Sequence, residues 1–156
     1  MNPFDQDLLV KIAVSMLCGF IVGIERHLNK KPIDIRTSVL ICMGTMVFIY
    51  LGQEIAGDKD STRVLGQVVT GIGFLGAGAI ITRQGLVIGM TSAAVVWVLA
   101  AIGAAVGFGR YLMGIELSLV VVFVLTVLQI FEDWTESLVR PYDGPKRHAK
   151  DERKIR

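Results

Sequence analysis

The chain has 156 residues, 53% of them apolar and only 19% charged, with a formal net charge of +2 and a mean hydropathy of +0.59. That balance is high in apolar residues for a soluble chain and leans toward a membrane protein, with no nucleic acid expected as a partner. Residues 64–82 and 84–109 carry no charge at all, and runs of that length match the roughly 20 residues that cross a bilayer.

In chain order the pattern predicts an all-α, polytopic transmembrane bundle of five spanning helices within residues 1–139, followed by a disordered basic tail over 140–156. The opening MNPFDQD has no positive charge and no small-residue cleavage pattern follows it, so the first apolar run is expected to be a retained helix. That helix covers about 8–24, with Lys11 near its start, Gly19 and Gly23 in GxxxG spacing, and Glu25 and Arg26 at its end. A second helix follows at 37–53, opened by Arg36.

The third predicted helix, 64–81, is preceded by Asp60 and Arg63, with Gln67 one turn in; Asp60 is either an N-cap or a member of a polar face with the other two. Its core, VVTGIGFLGAGAIIT, satisfies a GxGxxG spacing at Gly71, Gly73 and Gly76. A dinucleotide loop also needs a preceding strand and an acid about 20 residues on. Val95, Val96 and Trp97 stand there instead, so no nucleotide is expected. Gly66, Thr70, Gly73 and Ala77 form a smooth stripe, and Gly71, Gly76 and Gly78 thin the other faces, which predicts a centrally packed helix. The alternative is a partly unwound segment over 71–78 whose carbonyls contact cations.

The fourth helix, 90–106, is rich in alanine and glycine. The fifth, 112–131, is interrupted only by Glu116, placed at the same depth as Lys11; the two are expected either to pair or to leave Lys11 snorkelling. Twelve of the sixteen basic residues lie in the segments joining helices one to two and three to four and in the tail. The positive-inside rule therefore puts the amino terminus outside and the carboxy terminus in the cytoplasm. Neither CxxC, HExxH nor GxSxG occurs, His27 and His148 are isolated, and Cys18 and Cys42 read as packing residues, so no enzyme is expected.

GIERHLNKKPIDIRT (23–37), DSTRVLGQVVTGIGFLGAGAI (60–80) and GMTSAAVVWVLAAIG (89–103) together resemble the successive motifs of the MgtC/SapB family of bacterial membrane proteins. Asp34, Ser61 and Ile88 depart from the family's usual glycine, proline and arginine, and the short tail leaves no room for the soluble carboxy-terminal domain of longer members. The resemblance implies a multi-pass protein of the bacterial inner membrane concerned with magnesium homeostasis. It singles out Glu25, Arg26, Arg36, Asp60, Arg63, Gln67, Thr91 and Trp97 as candidate ion or polar-network positions.

Chemically, Glu25 and Arg36 face the same inner loop and either staple two helices or serve the function. Two functions stay open. One is a cation transporter, with Mg²⁺ as substrate or ligand and no resident cofactor. The other is a regulatory protein that binds itself, as a homodimer, or another membrane protein through small-residue faces.

Overall fold

Among the described residues, four helices are long and apolar enough to cross a membrane: Gln6–Leu28, Ile35–Ile55, Met90–Gly107 and Tyr111–Glu132. In the computed structural model, which describes residues 3–56, 58–83 and 86–139, they belong to a five-helix bundle. Its elements are α1 (Pro3–Leu28), α2 (Ile35–Ala56), α3 (Asp58–Gly78), α4 (Met90–Gly107) and α5 (Tyr111–Val139). A helix occupies each predicted segment, but the third starts earlier and stops at Gly78 instead of 81, Ile81 passing into a strand, and α1 and α5 run well beyond the predicted ends. The predicted tail, 140–156, lies outside the described residues.

Local chemistry sets the helix ends. The Asp34 carboxylate accepts from the Thr37 backbone N–H and hydroxyl, both at 3.0 Å, and so caps α2. These bonds hold its carboxyl below the usual carboxylate range. At the far end of α4, Gly109 takes φ +75°, which lets Arg110 N–H reach back to the Ala105 carbonyl at 2.9 Å and closes the helix in a Schellman turn.

Between α3 and α4 the chain departs from the all-helical expectation. β1 (Ile81–Arg83) and β2 (Leu86–Ile88) pair antiparallel, with Thr82 opposite Val87. Gly89 (φ +97°) then turns the chain into α4, lying so close to the Ala79 carbonyl that no Cβ would fit.

The centre of the bundle is α1, α2 and α4. A Cβ on Gly19 would stand 2.6 Å from Val39 Cα, one on Gly23 2.6 Å from Ile35 Cα, and one on Gly107 2.7 Å from Ile49 Cβ, while one on Gly103 would overlap the Cys42 carbonyl. Cys18, Val22, Cys42, Met46, Leu99, Ile102 and Val106 fill the space between these contacts. Both thiols are free and buried.

The prediction of a central α3 is overturned. Among the described residues, no atom lies within 4 Å of a Cβ built on Gly66, Gly71, Gly73 or Gly78, while one on Gly76 approaches Ala93 O at 3.5 Å. The helix is continuous through Gly78 and closes with Ala79 N–H to Gly76 O and Ile80 N–H to Ala77 O, so the unwound alternative is not the conformation present. α4 takes the central place because it is apolar on every side and small at Ala100, Gly103, Ala104 and Gly107, as a helix surrounded by others must be. The outer surface is apolar too: only 11% of the α5 span is buried, against 61% for α4, a distribution that suits lipid rather than water.

Candidate functional site: a buried arginine at the start of α4

Buried ionisable groups are costly in hydrocarbon and mark functional positions. Two sit together where α1 ends. Arg26 is 2% exposed and Glu25 6%. Successive helical residues point about 100° apart, so the two side chains approach without aligning: Arg26 Nη1 stands 3.5 Å from Glu25 Oε2, too long for a strong hydrogen bond. Arg26 Nη2 instead donates to the Ser92 hydroxyl at 3.1 Å, tying the end of α1 to the first turn of α4. Glu25 Oε1 accepts from Asn29 Nδ2 at 2.7 Å, and Asn29 Oδ1 accepts from Gln129 on α5 at 3.3 Å. Arg26 Nε and Glu25 Oε2 keep no hydrogen-bond partner among the described residues.

A cavity of about 440 Å³ opens beside this network between the ends of α1, α4 and α5, with Arg26, Thr91, Ser92 and Gln129 among its walls. A second, of about 550 Å³, lies between α3 and α4 and is almost wholly apolar; Trp97 and Arg110 border it.

At the opposite end of the bundle, Lys11 is 6% exposed. Its ammonium donates to the Gly107 carbonyl at 2.9 Å, sits 3.4 Å from Asp7 and lies 5.4 Å from the centre of the Tyr50 ring. Tyr111 in turn donates to Asp7 at 2.8 Å. A cation at the last turn of α4 suits the negative end of that helix.

Of the predicted positions, the structure brings Glu25, Arg26 and Thr91 to one end. Thr91 is exposed and lines the cavity, and its neighbour Ser92 makes the bond to Arg26. Arg36 is exposed, and Glu25 finds its partners in Asn29 and Arg26; the expected Glu25–Arg36 staple is not formed because Arg36 falls on the outer face of α2. Arg63 and Gln67 lie exposed on α3, and Asp60 lies within that helix, its side chain outside the described residues. Trp97 is 52% exposed and borders the apolar cavity between α3 and α4, not the cavity beside Arg26.

The expected Lys11–Glu116 pair is replaced. Lys11 turns to Asp7, four residues earlier on its own helix, and to Gly107, while Glu116 faces outward from α5. Gly19 and Gly23 do pack a helix, the adjacent α2. Ser92, Asn29 and Gln129 were not singled out as site residues. Asn29 carried a signal, four residues after Glu25, and Gln129 another, as a polar residue in the last apolar run.

The sequence model for the MgtC family matches residues 12–134. The chain is 40% identical over 136 residues to YhiD of Escherichia coli (strain K12), whose name proposes magnesium transport, covering 82% of this chain and 61% of that protein. It is 35% identical over 116 residues to Protein SapB of Bacillus subtilis (strain 168), covering 69% and 50%. Against Protein MgtC of Brucella abortus (strain 2308) it is 38% identical over 98 residues, covering 63% and 41%. The chain therefore spans between about two fifths and three fifths of the length of these relatives. No solved structure matches it. With the matched region running from α1 into α5, the chain belongs to the MgtC family.

Proposed function

We propose that this chain is a multi-pass protein of the bacterial inner membrane that serves magnesium homeostasis as a regulatory binding component, docking through α3 onto another membrane protein or a second copy of itself. The observation that carries the reading is the open glycine surface of α3, Gly66 and Gly73 on one side and Gly71 and Gly78 on another: no atom of the described residues lies within 4 Å of a Cβ built on any of them. Each glycine in a helix interior costs about 1 kcal/mol relative to alanine, and a lipid-facing helix gains nothing in return. A second helix lying against the Gly66 and Gly73 side recovers part of that cost through close backbone packing. The magnesium connection rests on the name of YhiD.

In this reading α3 is a fifth span. Its start packs near Gly52 on α2, where Val64 Cγ2 lies 3.0 Å from a built Cβ, and its end packs near Ala93 on α4, so it follows the bundle along its length. Lys30, Lys31 and Arg36 between α1 and α2 then face the cytoplasm, with the amino terminus outside. Magnesium is what the protein responds to, and no catalysis is ascribed to it.

The test uses the full chain. The protein is purified from membranes in mild detergent, with chemical crosslinking, as wild type and as Gly73→Leu, and it is also reconstituted in liposomes loaded with a magnesium indicator. A complex present in the wild type and lost in Gly73→Leu, with no Mg²⁺ flux, is expected. Mg²⁺ flux abolished by Glu25→Gln replaces this reading with transport.

A further inference from the structure

The cavity beside Arg26 has two unlike ends. Along α5 its wall runs from Val120 to Glu132, about 18 Å at about 1.5 Å per residue. At the α4 start, Arg26, Lys31, Thr91, Ser92, Gln129 and Glu132 supply polar atoms. Deeper along the helices the lining turns to Val95, Val98, Val121, Val124 and Leu125. A charged head above an apolar slot is the outline of a lipid.

Three features make the head an anion site. α4 is 18 residues long and its N-cap position, Gly89, offers no side-chain cap, so its first N–H groups and the positive end of its dipole are left for another acceptor. Arg26, 98% buried, lines the cavity and retains an unpartnered Nε, its charge only partly offset by Glu25 at 3.5 Å. Lys31, exposed, adds a second cation at the rim. Glu132 is the acid among the lining residues, and it is exposed at the mouth where it can turn to solvent.

We infer that this cavity binds an anionic phospholipid, its phosphate received by Arg26, Lys31 and the α4 amino end and one acyl chain lying along the Val95–Val124 wall. The apolar slot chooses a lipid over free phosphate, since inorganic phosphate has nothing to place there. The position agrees with the leaflet: Lys30, Lys31 and Arg36 mark the same end of the bundle, and anionic headgroups gather on the cytoplasmic side. This inference stands apart from α3 docking, and Gly73→Leu is expected to leave it unchanged.

The experiment delipidates the purified full chain in neutral detergent and follows binding by native mass spectrometry and thermal shift. The probes are phosphatidylglycerol, phosphatidylcholine and inorganic phosphate. Phosphatidylglycerol is expected to bind about tenfold tighter than phosphatidylcholine, with Lys31→Gln weakening it about fivefold, the effect of one cation near a headgroup. Val124→Trp, a change at a 43% exposed position that the fold tolerates, fills the slot and abolishes binding while the helical circular dichroism is kept. Equal binding of the two lipids, or unchanged phosphatidylglycerol binding in Val124→Trp, overturns the inference. So does inorganic phosphate that protects as well as phosphatidylglycerol, which would make the ligand a soluble anion.

Discussion

Replacing Gly19 and Gly73 by alanine, one at a time, is expected to move stability in opposite directions. At Gly19 the new methyl meets Val39 Cα at 2.6 Å, Ser38 O at 2.8 Å and Val39 N at 2.9 Å. All three are backbone atoms, so no side-chain rotation relieves them. Ordinary contact begins at 3.4 Å, and α1 must therefore withdraw from α2 by about 0.8 Å. Such overpacking costs about 1–3 kcal/mol, here at the upper end because only rigid helices can yield. Alanine also returns about 1 kcal/mol of helix propensity, leaving Gly19→Ala destabilised by about 2 kcal/mol.

At Gly73 no atom lies within 4 Å. In monomeric detergent-solubilised protein the same change keeps only the propensity term, so Gly73→Ala is stabilised by up to about 1 kcal/mol. Equilibrium unfolding in mixed micelles of rising dodecyl sulfate fraction, read by circular dichroism, measures both. Shifts of the same sign would refute the assignment of α1, rather than α3, to the close-packed seam.

Four further outcomes follow from the polar groups. Arg26→Leu leaves Glu25 buried without its cation and should cost about 3–5 kcal/mol, most of it recovered in the Glu25→Leu, Arg26→Leu double variant; an additive loss in the same micelle titration would show that the two charges do not compensate each other. Lys11→Met removes a charged hydrogen bond to Gly107 and should cost about 1.5–3 kcal/mol, Asp7 contributing little of it because that carboxylate is half exposed. Glu116→Gln should change nothing by itself and add nothing to Lys11→Met, and a coupling between the two would restore the rejected pair. Asp34 is held below its unfolded value by the two Thr37 bonds, so its contribution is full above about pH 4 and is lost as pH falls through the lower, folded value. Hydrogen exchange at the first turn of α2 should rise on acidification in the wild type and be already raised, without that acid step, in Asp34→Ala.

Hydropathy runs made the helical elements legible, since lipid demands long apolar segments and the chain supplies them at 8–24, 37–53, 90–106 and 112–131. Arrangement was harder to read. Glycine reveals that a backbone can be approached but not which neighbour approaches it, so the densest cluster, at Gly71 to Gly78, suggested a centre that the fold builds at Gly103 and Gly107 instead. The better signal was α4 itself, with no polar face to turn outward. The hairpin was missed because its two triplets, ITR and LVI, merged into flanking apolar runs, although Gly85 between them was a turn signal. Glu25 and Arg26 were legible as charges at a membrane rim. Ser92 as their partner was not, because 66 residues separate it from Arg26 and only packing brings them together.

Arg26 and Lys11 both stand on α1, fifteen positions apart, and the groups they hold on α4, Ser92 and Gly107, are also fifteen positions apart. At about 1.5 Å per residue each interval measures about 22 Å, so the antiparallel pair is pinned at both ends with matched rungs. A piston stroke of either rod along the other would tear both pins at once. Relative movement within the bundle is therefore left to tilting or parting of the other helices, while α1 and α4 keep a fixed gauge.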